Sequence, residues 1–161
     1  MRRTLCAVRA PTLSAGPRRL PDGRRALVDY GLARRAALRD LRAGRRSSLD
    51  VCDAHPYLLR AARYHGEPTD RDCPVCVRER LVEVTYTYGD CFKKETNGRV
   101  RQRVDLPELA REHEEFTVYV VEVCRGCSWN HLTVSYVLGR PAATPNGESS
   151  RGTGSRRVAE E

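Results

Sequence analysis

Two pairs of thiols stand at a spacing that metal ions use. Cys73-Pro74-Val75-Cys76 and Cys124-Arg125-Gly126-Cys127 are each a CxxC, and 47 residues lie between Cys76 and Cys124. A two-residue gap lets one tight turn aim both sulfurs at a single point. Two such turns brought together form a tetrahedral cage, the geometry a structural Zn²⁺ prefers. Four cysteines close the coordination shell and leave no position for a reacting water or substrate. The expectation is therefore one structural Zn²⁺ on Cys73, Cys76, Cys124 and Cys127, with no chemistry at the metal. Two other chemistries share these residues. Rubredoxin-like iron takes the same four ligands. Cys-Pro-Val-Cys alone resembles a thioredoxin-type redox motif, but that motif needs a βαβ context that the pattern here lacks.

The other candidate groups form no constellation. Cys52 and His55 have a ligand-like spacing, yet without further partners the plainer reading is packing. Cys6, Cys91, His113 and His131 stand alone in the sequence. Nothing resembles a nucleophile with its base. Glu83 and Glu122 read as strand residues rather than a general acid/base pair. A non-enzymatic protein with no small-molecule substrate is expected.

The elements that must position the cysteines follow from periodicity. Leu27 to Ala43 reads as a helix, with Tyr30, Ala33, Ala37, Leu38 and Leu41 on one stripe and Arg34, Arg35, Arg39 and Arg42 largely off it. Gly44 is placed to end it in a left-handed cap. Ser47 to Asp50 is a weaker capping box that opens a short helix at Leu49–Asp53. Pro56 is favoured at a first helical position, so a third helix is expected from Pro56 to about His65. A short helix, a turn, and a helix carrying Arg60 and Arg63 are compatible with a helix-turn-helix.

After a linker at Gly66–Asp72 the period changes to two. Val82, Val84, Tyr86 and Tyr88 mark a strand, Asn97-Gly98 a tight turn, and Val100, Gln102 and Val104 a half-exposed strand. Pro107 opens a short helix to Glu112, and Phe116–Val123 and His131–Leu138 are the clearest strands. The expected fold class is α+β: an N-terminal two- or three-helix segment followed by a small antiparallel zinc-ribbon-like β-sheet. The expected organisation is a disordered basic arm (1–25), a helical segment (26–66), a zinc-ribbon-like β domain (67–139) and a disordered tail (140–161).

Charge divides along the same line. The chain has 27 Arg and only 2 Lys, a bias that GC-rich codon usage alone can produce. Residues 1–66 carry +10, residues 67–139 carry −3 and residues 140–161 carry +1. A Zn²⁺ on four thiolates adds −2 to the acidic part. Any affinity for polyanions is thus expected in the helical part, through Arg34, Arg35, Arg39, Arg42, Arg45, Arg46, Arg60 and Arg63. The plainer reading is a solvated arginine-rich surface. Tyr86, Tyr88, Tyr119, Trp129 and Tyr136 read as packing of the sheet in preference to a base-stacking surface, because stacking sites come with a positive groove. No apolar run approaches the ~20 residues a membrane span needs. Leu5-Cys6-Ala7-Val8 is shorter than the ~7–15 residues of a signal-peptide core. A soluble, cytoplasmic protein is expected.

From Leu27 to Gly139 the chain resembles a small actinobacterial family, domain of unknown function 5318. The resemblance rests on Leu32-Ala33-Arg34-Arg35, Asp50-Val51-Cys52-Asp53-Ala54-His55-Pro56, Leu58-Leu59-Arg60-Ala61-Ala62 and Cys73-Pro74-Val75-Cys76. It continues through Thr85-Tyr86-Thr87-Tyr88-Gly89-Asp90, Leu106-Pro107-Glu108-Leu109, and Val121-Glu122-Val123-Cys124 leading to Trp129-Asn130-His131-Leu132. It implies a zinc-ribbon-like module behind a helical part and nothing catalytic. Taken together, these features predict a zinc-binding, transcription-associated regulatory protein. Its helical part would contact DNA or RNA, and its ribbon would dock on a protein such as RNA polymerase. The alternative is an interaction adaptor with no nucleic-acid role.

Overall fold

The fold is known from a computed structural model that describes residues 23–141. The expectations for the basic arm before residue 23, Cys6 included, and for the tail after residue 141 lie outside the described residues. Among the described residues six strands and three helices follow in the order β1 (Arg25–Asp29), α1 (Gly31–Arg42), α2 (Pro56–His65), β2 (Glu67–Asp72), β3 (Arg80–Tyr88), β4 (Arg99–Arg101), α3 (Leu106–Glu112), β5 (Phe116–Val123) and β6 (Asn130–Leu138). Single 3₁₀ turns stand at Ser48–Asp50 and Arg103–Asp105.

The strands form one sheet in the order β1-β6-β5-β3-β2, every named pair antiparallel, with β4 on the remaining length of β3. The expected plan of a helical segment followed by a ribbon is corrected by two strands. β1 lies at the very start of what was read as a helix and pairs with the last strand, β6. Only Arg25 of its five residues is buried, so the side chains show no helix-versus-strand contrast. β2 falls in the expected linker. Its sequence, Glu67-Pro68-Thr69-Asp70-Arg71-Asp72, has no apolar period because it is held by polar groups: Thr69 donates to the Leu81 carbonyl at 2.8 Å, and Arg71 pairs with Glu83 and Glu122.

Cross-strand partners share a face and successive residues alternate between faces. Val118, Val120 and Glu122 of β5 therefore lie with Thr85 and Glu83 of β3 and Tyr136 of β6 on one face. Val121 and Val123 lie with Val84 and Val82 on the other. α3 covers one end of the first face, packing Leu106 against Phe116, Val118 and Tyr136. α1 covers the opposite end of that face, where Leu38 meets Leu81 and Trp129. α2 packs Ala61 and Ala62 on Val82, Val84 and Val123 of the second face. The helix-turn-helix is corrected as well: the short first helix expected at Leu49–Asp53 is a single 3₁₀ turn at Ser48–Asp50, and α1 lies on the opposite face of the sheet from α2.

Local signals place the helices well. α1 ends in paired bonds from Gly44 N to Leu41 O (3.0 Å) and from Arg45 N to Asp40 O (2.9 Å), with Gly44 at φ +68°, a Schellman cap. Ser47 and Asp50 make the reciprocal capping box. α2 starts on Pro56 and its N-cap is the His55 ring, which accepts from Tyr57 N at 3.2 Å.

Candidate metal centre

Cys73 and Cys76 lie in the turn from β2 to β3, and Cys124 and Cys127 in the turn from β5 to β6. β3 and β5 are adjacent and antiparallel, and Val82 pairs with Val123, so both turns emerge at the same end of the sheet. The four Sγ atoms lie within 4.8 Å of one another. Cys73 and Cys127 are 3.6 Å apart and Cys76 and Cys124 are 3.7 Å apart. A regular tetrahedron with Zn–S near 2.3 Å has sulfur–sulfur edges of about 3.8 Å. The donor set and its spacing fit a four-coordinate metal ion.

The two turns share a hydrogen-bond pattern, the first closing one residue later than the second. Val77 N donates to Cys73 O and Ser128 N to Cys124 O, both at 3.0 Å, while Cys73 N donates to Glu79 O and Cys124 N to Trp129 O, both at 2.8 Å. In each, the residue after the second cysteine takes a left-handed conformation, Val77 at φ +56° and Ser128 at φ +67°. A β-branched valine is rare there, and its strain is the cost of turning backbone N–H groups toward the sulfurs. Gly126 does not take that conformation. A Cβ at Gly126 would meet the movable end of the Glu79 side chain from the other turn at 2.8 Å.

Those N–H groups set the thiol chemistry. Backbone hydrogen bonds from Arg78, and less strongly from Glu79, hold Cys76 down to about 6. Burial pushes Cys73 and Cys124 up, and Cys127 up to about 12. One thiolate thus forms readily near neutrality, and the other three need a cation to lose their protons.

Apolar side chains enclose the sulfurs. Leu38 of α1, Val51, Leu81 and Trp129 are buried around Cys73 and Cys124. Cys52 packs against the same cluster. The segment after the 3₁₀ turn is tied to the second knuckle: Ala54 N donates to Ser128 O (3.0 Å) and Asn130 Nδ2 to Asp53 Oδ1 (2.9 Å). Trp129 also links the centre to a buried carboxylate. Glu122 is 0% exposed; its Oε1 accepts from Arg34 Nε (2.6 Å) and Trp129 Nε1 (3.0 Å), and its Oε2 from Arg71 Nη1 (3.3 Å). Arg71 continues to Glu83, Glu83 pairs with Arg103, and Arg103 with Glu67. Glu83 and Glu122 are thus both engaged by arginines, as members of a structural ion network.

A family model described as a family of unknown function, DUF5318, matches residues 22–152. The chain belongs to that family. It is 47% identical over 128 residues to three proteins, an overlap covering 78% of this chain and 93% of each relative. They are the uncharacterized proteins Rv0049 and MT0055 of two Mycobacterium tuberculosis strains and Mb0050 of Mycobacterium bovis. No solved structure matches the chain. The match to the family takes in both knuckles, Glu122 and all three helices.

The arginines expected to meet nucleic acid are dispersed. Arg34 points inward to Glu122, on an inward stripe of buried Leu38 and half-buried Arg34, Ala37 and Leu41 that differs from the expected one; Ala33 is exposed. Arg45 is taken up by Asp40, whose carboxyl it holds below the usual range. Arg35, Arg39 and Arg42 form an exposed i, i+4, i+7 stripe on α1, and Arg46 is exposed beyond its cap. Arg60 and Arg63 are on α2, across the sheet. Trp129 and Tyr136 are buried and Tyr86 and Tyr119 are half-buried, so the sheet aromatics pack rather than stack on a ligand. The exposed large aromatics are instead Tyr57 and Tyr64 of α2, with Tyr88 half out. They flank Ala61 on the helix, at the edge of its buried face. Among the described residues no helix is long and apolar enough to cross a membrane.

Proposed function

We propose that this is a non-enzymatic regulatory protein of the cytoplasm, stabilised by one Zn²⁺ on Cys73, Cys76, Cys124 and Cys127, that acts on nucleic acid in a transcription-associated role. The closed, apolar-walled thiolate cage supports a structural ion: four protein ligands leave no open position for a substrate. The observation that carries the nucleic-acid reading is the α1 stripe. Arg35, Arg39 and Arg42 face solvent together, and the one acid on that helix, Asp40, is held mainly by Arg45 at 2.5 Å, with Arg39 at 3.8 Å. Three guanidiniums in line are a phosphate-tracking surface. Metal analysis of purified protein is expected to give one zinc per chain. Duplex binding is expected to weaken between about 50 and 200 mM salt, and Arg35→Gln/Arg39→Gln/Arg42→Gln to lower the salt slope by about 2.7. No binding to DNA or RNA even at low salt sinks the reading.

A second reading rests on exposed apolar side chains. Leu32, Leu49 and Val77 are 76%, 82% and 70% exposed, which supports a zinc-stabilised adaptor that docks on a protein, such as RNA polymerase, through apolar contacts. An adaptor keeps its partner when the α1 arginines become glutamine, and loses it when Leu49 and Val77 become serine.

A further inference from the structure

We propose that the solvent face of α2 is a stacking platform for unpaired bases, so that the nucleic acid this protein takes includes a single-stranded segment. The proposal rests on the nucleic-acid reading above but uses another helix on the other face of the sheet. Tyr57, Arg60 and Tyr64 fall at i, i+3 and i+7 on the exposed side of α2, with Arg63 flanking them and the buried Ala61 bordering the two tyrosines. Tyr57 and Tyr64 are 71% and 68% exposed. Isolated exposed aromatics are ordinary, but two on one stripe, each with a guanidinium, are a composed surface. The Arg60 guanidinium lies 5.6 Å from the Tyr57 ring centre and that of Arg63 lies 5.8 Å from the Tyr64 ring centre.

The rings are two helical turns apart, about 10 Å along the axis, too far to stack on each other and far enough to take separate bases. Tyr57 is also held in place. The His55 ring stacks on it at 5.1 Å with an interplanar angle of 25°, and the same ring is fixed by accepting from Tyr57 N. The His55–Tyr57 pair is thus a preordered aromatic surface. α2 carries no acidic residue. Past its C-terminal half, Arg63 and Arg125 line a cleft shared with Glu79, so positive charge continues beyond the stripe.

The chemistry favours single strands over duplex. Ring faces and guanidiniums together offer base stacking and phosphate contact. Bases inside a duplex have no free face to stack on a tyrosine, while every unpaired base does.

The test uses the zinc-loaded full chain and fluorescence anisotropy. Probes are dT and rU oligomers of about 12 nucleotides and a duplex of the same length. Tyr57→Ala/Tyr64→Ala, and separately Tyr57→Leu/Tyr64→Leu, which keeps bulk without a π face, are expected to weaken single-strand binding at least about 10-fold. Duplex affinity should stay within about twofold and the salt slope should be unchanged. Arg60→Gln/Arg63→Gln should instead lower the single-strand slope by about 1.4. The dT and rU arms show whether the strand is DNA or RNA. Unchanged single-strand affinity in both tyrosine variants overturns the platform, and so does a loss of self-association or of protein binding in its place. Wild-type binding to duplex alone, lowered by the α1 substitutions, overturns this inference and leaves the broader reading standing. Binding to none of the probes overturns both.

Discussion

The two ends of the sheet are held by different forces. At the end under α3, Phe92, Leu106, Phe116, Val118, Tyr136 and Leu138 form a cluster with no charged member. Its stability comes from apolar surface leaving water, and is spread over many contacts. At the other end Leu38, Val51, Leu81 and Trp129 are packed around cysteines, with the buried Glu122 beside them. Gathered sulfurs and a carboxylate out of water are favourable only when each has its partner. One end is stable by itself, and the other on condition.

The largest expected effect comes from removing that condition. Structural zinc contributes on the order of 10–16 kcal/mol of apparent binding energy in small domains. Adding a strong chelator to the zinc-loaded protein should expose Trp129, the only tryptophan and 1% exposed, and red-shift its fluorescence. Amides of Val118 and Tyr136 should stay protected in hydrogen exchange. Equal loss of protection at both ends would break the comparison.

Next come substitutions at each end. Phe116→Ala should destabilise the protein by about 3–5 kcal/mol in urea unfolding, with zinc affinity unchanged. Glu122→Ala should cost about 3 kcal/mol, the low side for a broken buried pair because Arg34 and Arg71 reach water, and it should weaken zinc as well. If Glu122→Ala leaves zinc affinity untouched, the ion network and the metal site are independent.

A smaller effect concerns protons. With Cys76 held near 6 it is largely thiolate at pH 7, while Cys73, Cys124 and Cys127 are raised and keep their protons. Zinc uptake at pH 7 should therefore release about three protons, and about four below pH 5. The sign follows: protons compete with the metal, so affinity falls as pH falls, and more steeply below the Cys76 value. Calorimetry in buffers of different ionisation enthalpy counts them; four protons at pH 7 would mean that the N–H groups of Arg78 and Glu79 do not stabilise that thiolate. The smallest effect is Val77→Gly. Releasing a valine from φ +56° should outweigh glycine's entropy by about 0.5–1 kcal/mol.

The conditional end was also the more legible in sequence. CxxC spacing specifies ligands directly, and β3, β5 and β6 carry long β-branched runs that show their period. The Schellman cap at Gly44, the box at Ser47 and Asp50, and Pro56 at a first helical position likewise act through neighbours in the chain. What stayed hidden depends on partners far away. Arg34 occupies an inward position that apolar periodicity would give to a leucine, because Glu122, 88 residues on, is there to meet it. β2 looks like a linker because its inward groups are Thr69 and Arg71, whose partners are on β3 and β5. Val77 and Ser128 gave no signal at all, since neither residue type is one that favours a left-handed turn.

The sheet order also sets a schedule for folding. β1 is the first described strand, yet its partner is β6, the last; Arg25 and the Gly139 carbonyl it bonds are 114 positions apart. At ribosomal rates of ~5–20 residues per second, synthesis of the intervening chain takes on the order of 10 s. Through that interval β1 has no neighbour, and its Leu27 and Val28 face water. Closing so long a loop belongs to the slow, high-contact-order class of folding events. The sheet is therefore completed only after nearly the whole fold has been made, with the strand that was synthesised first.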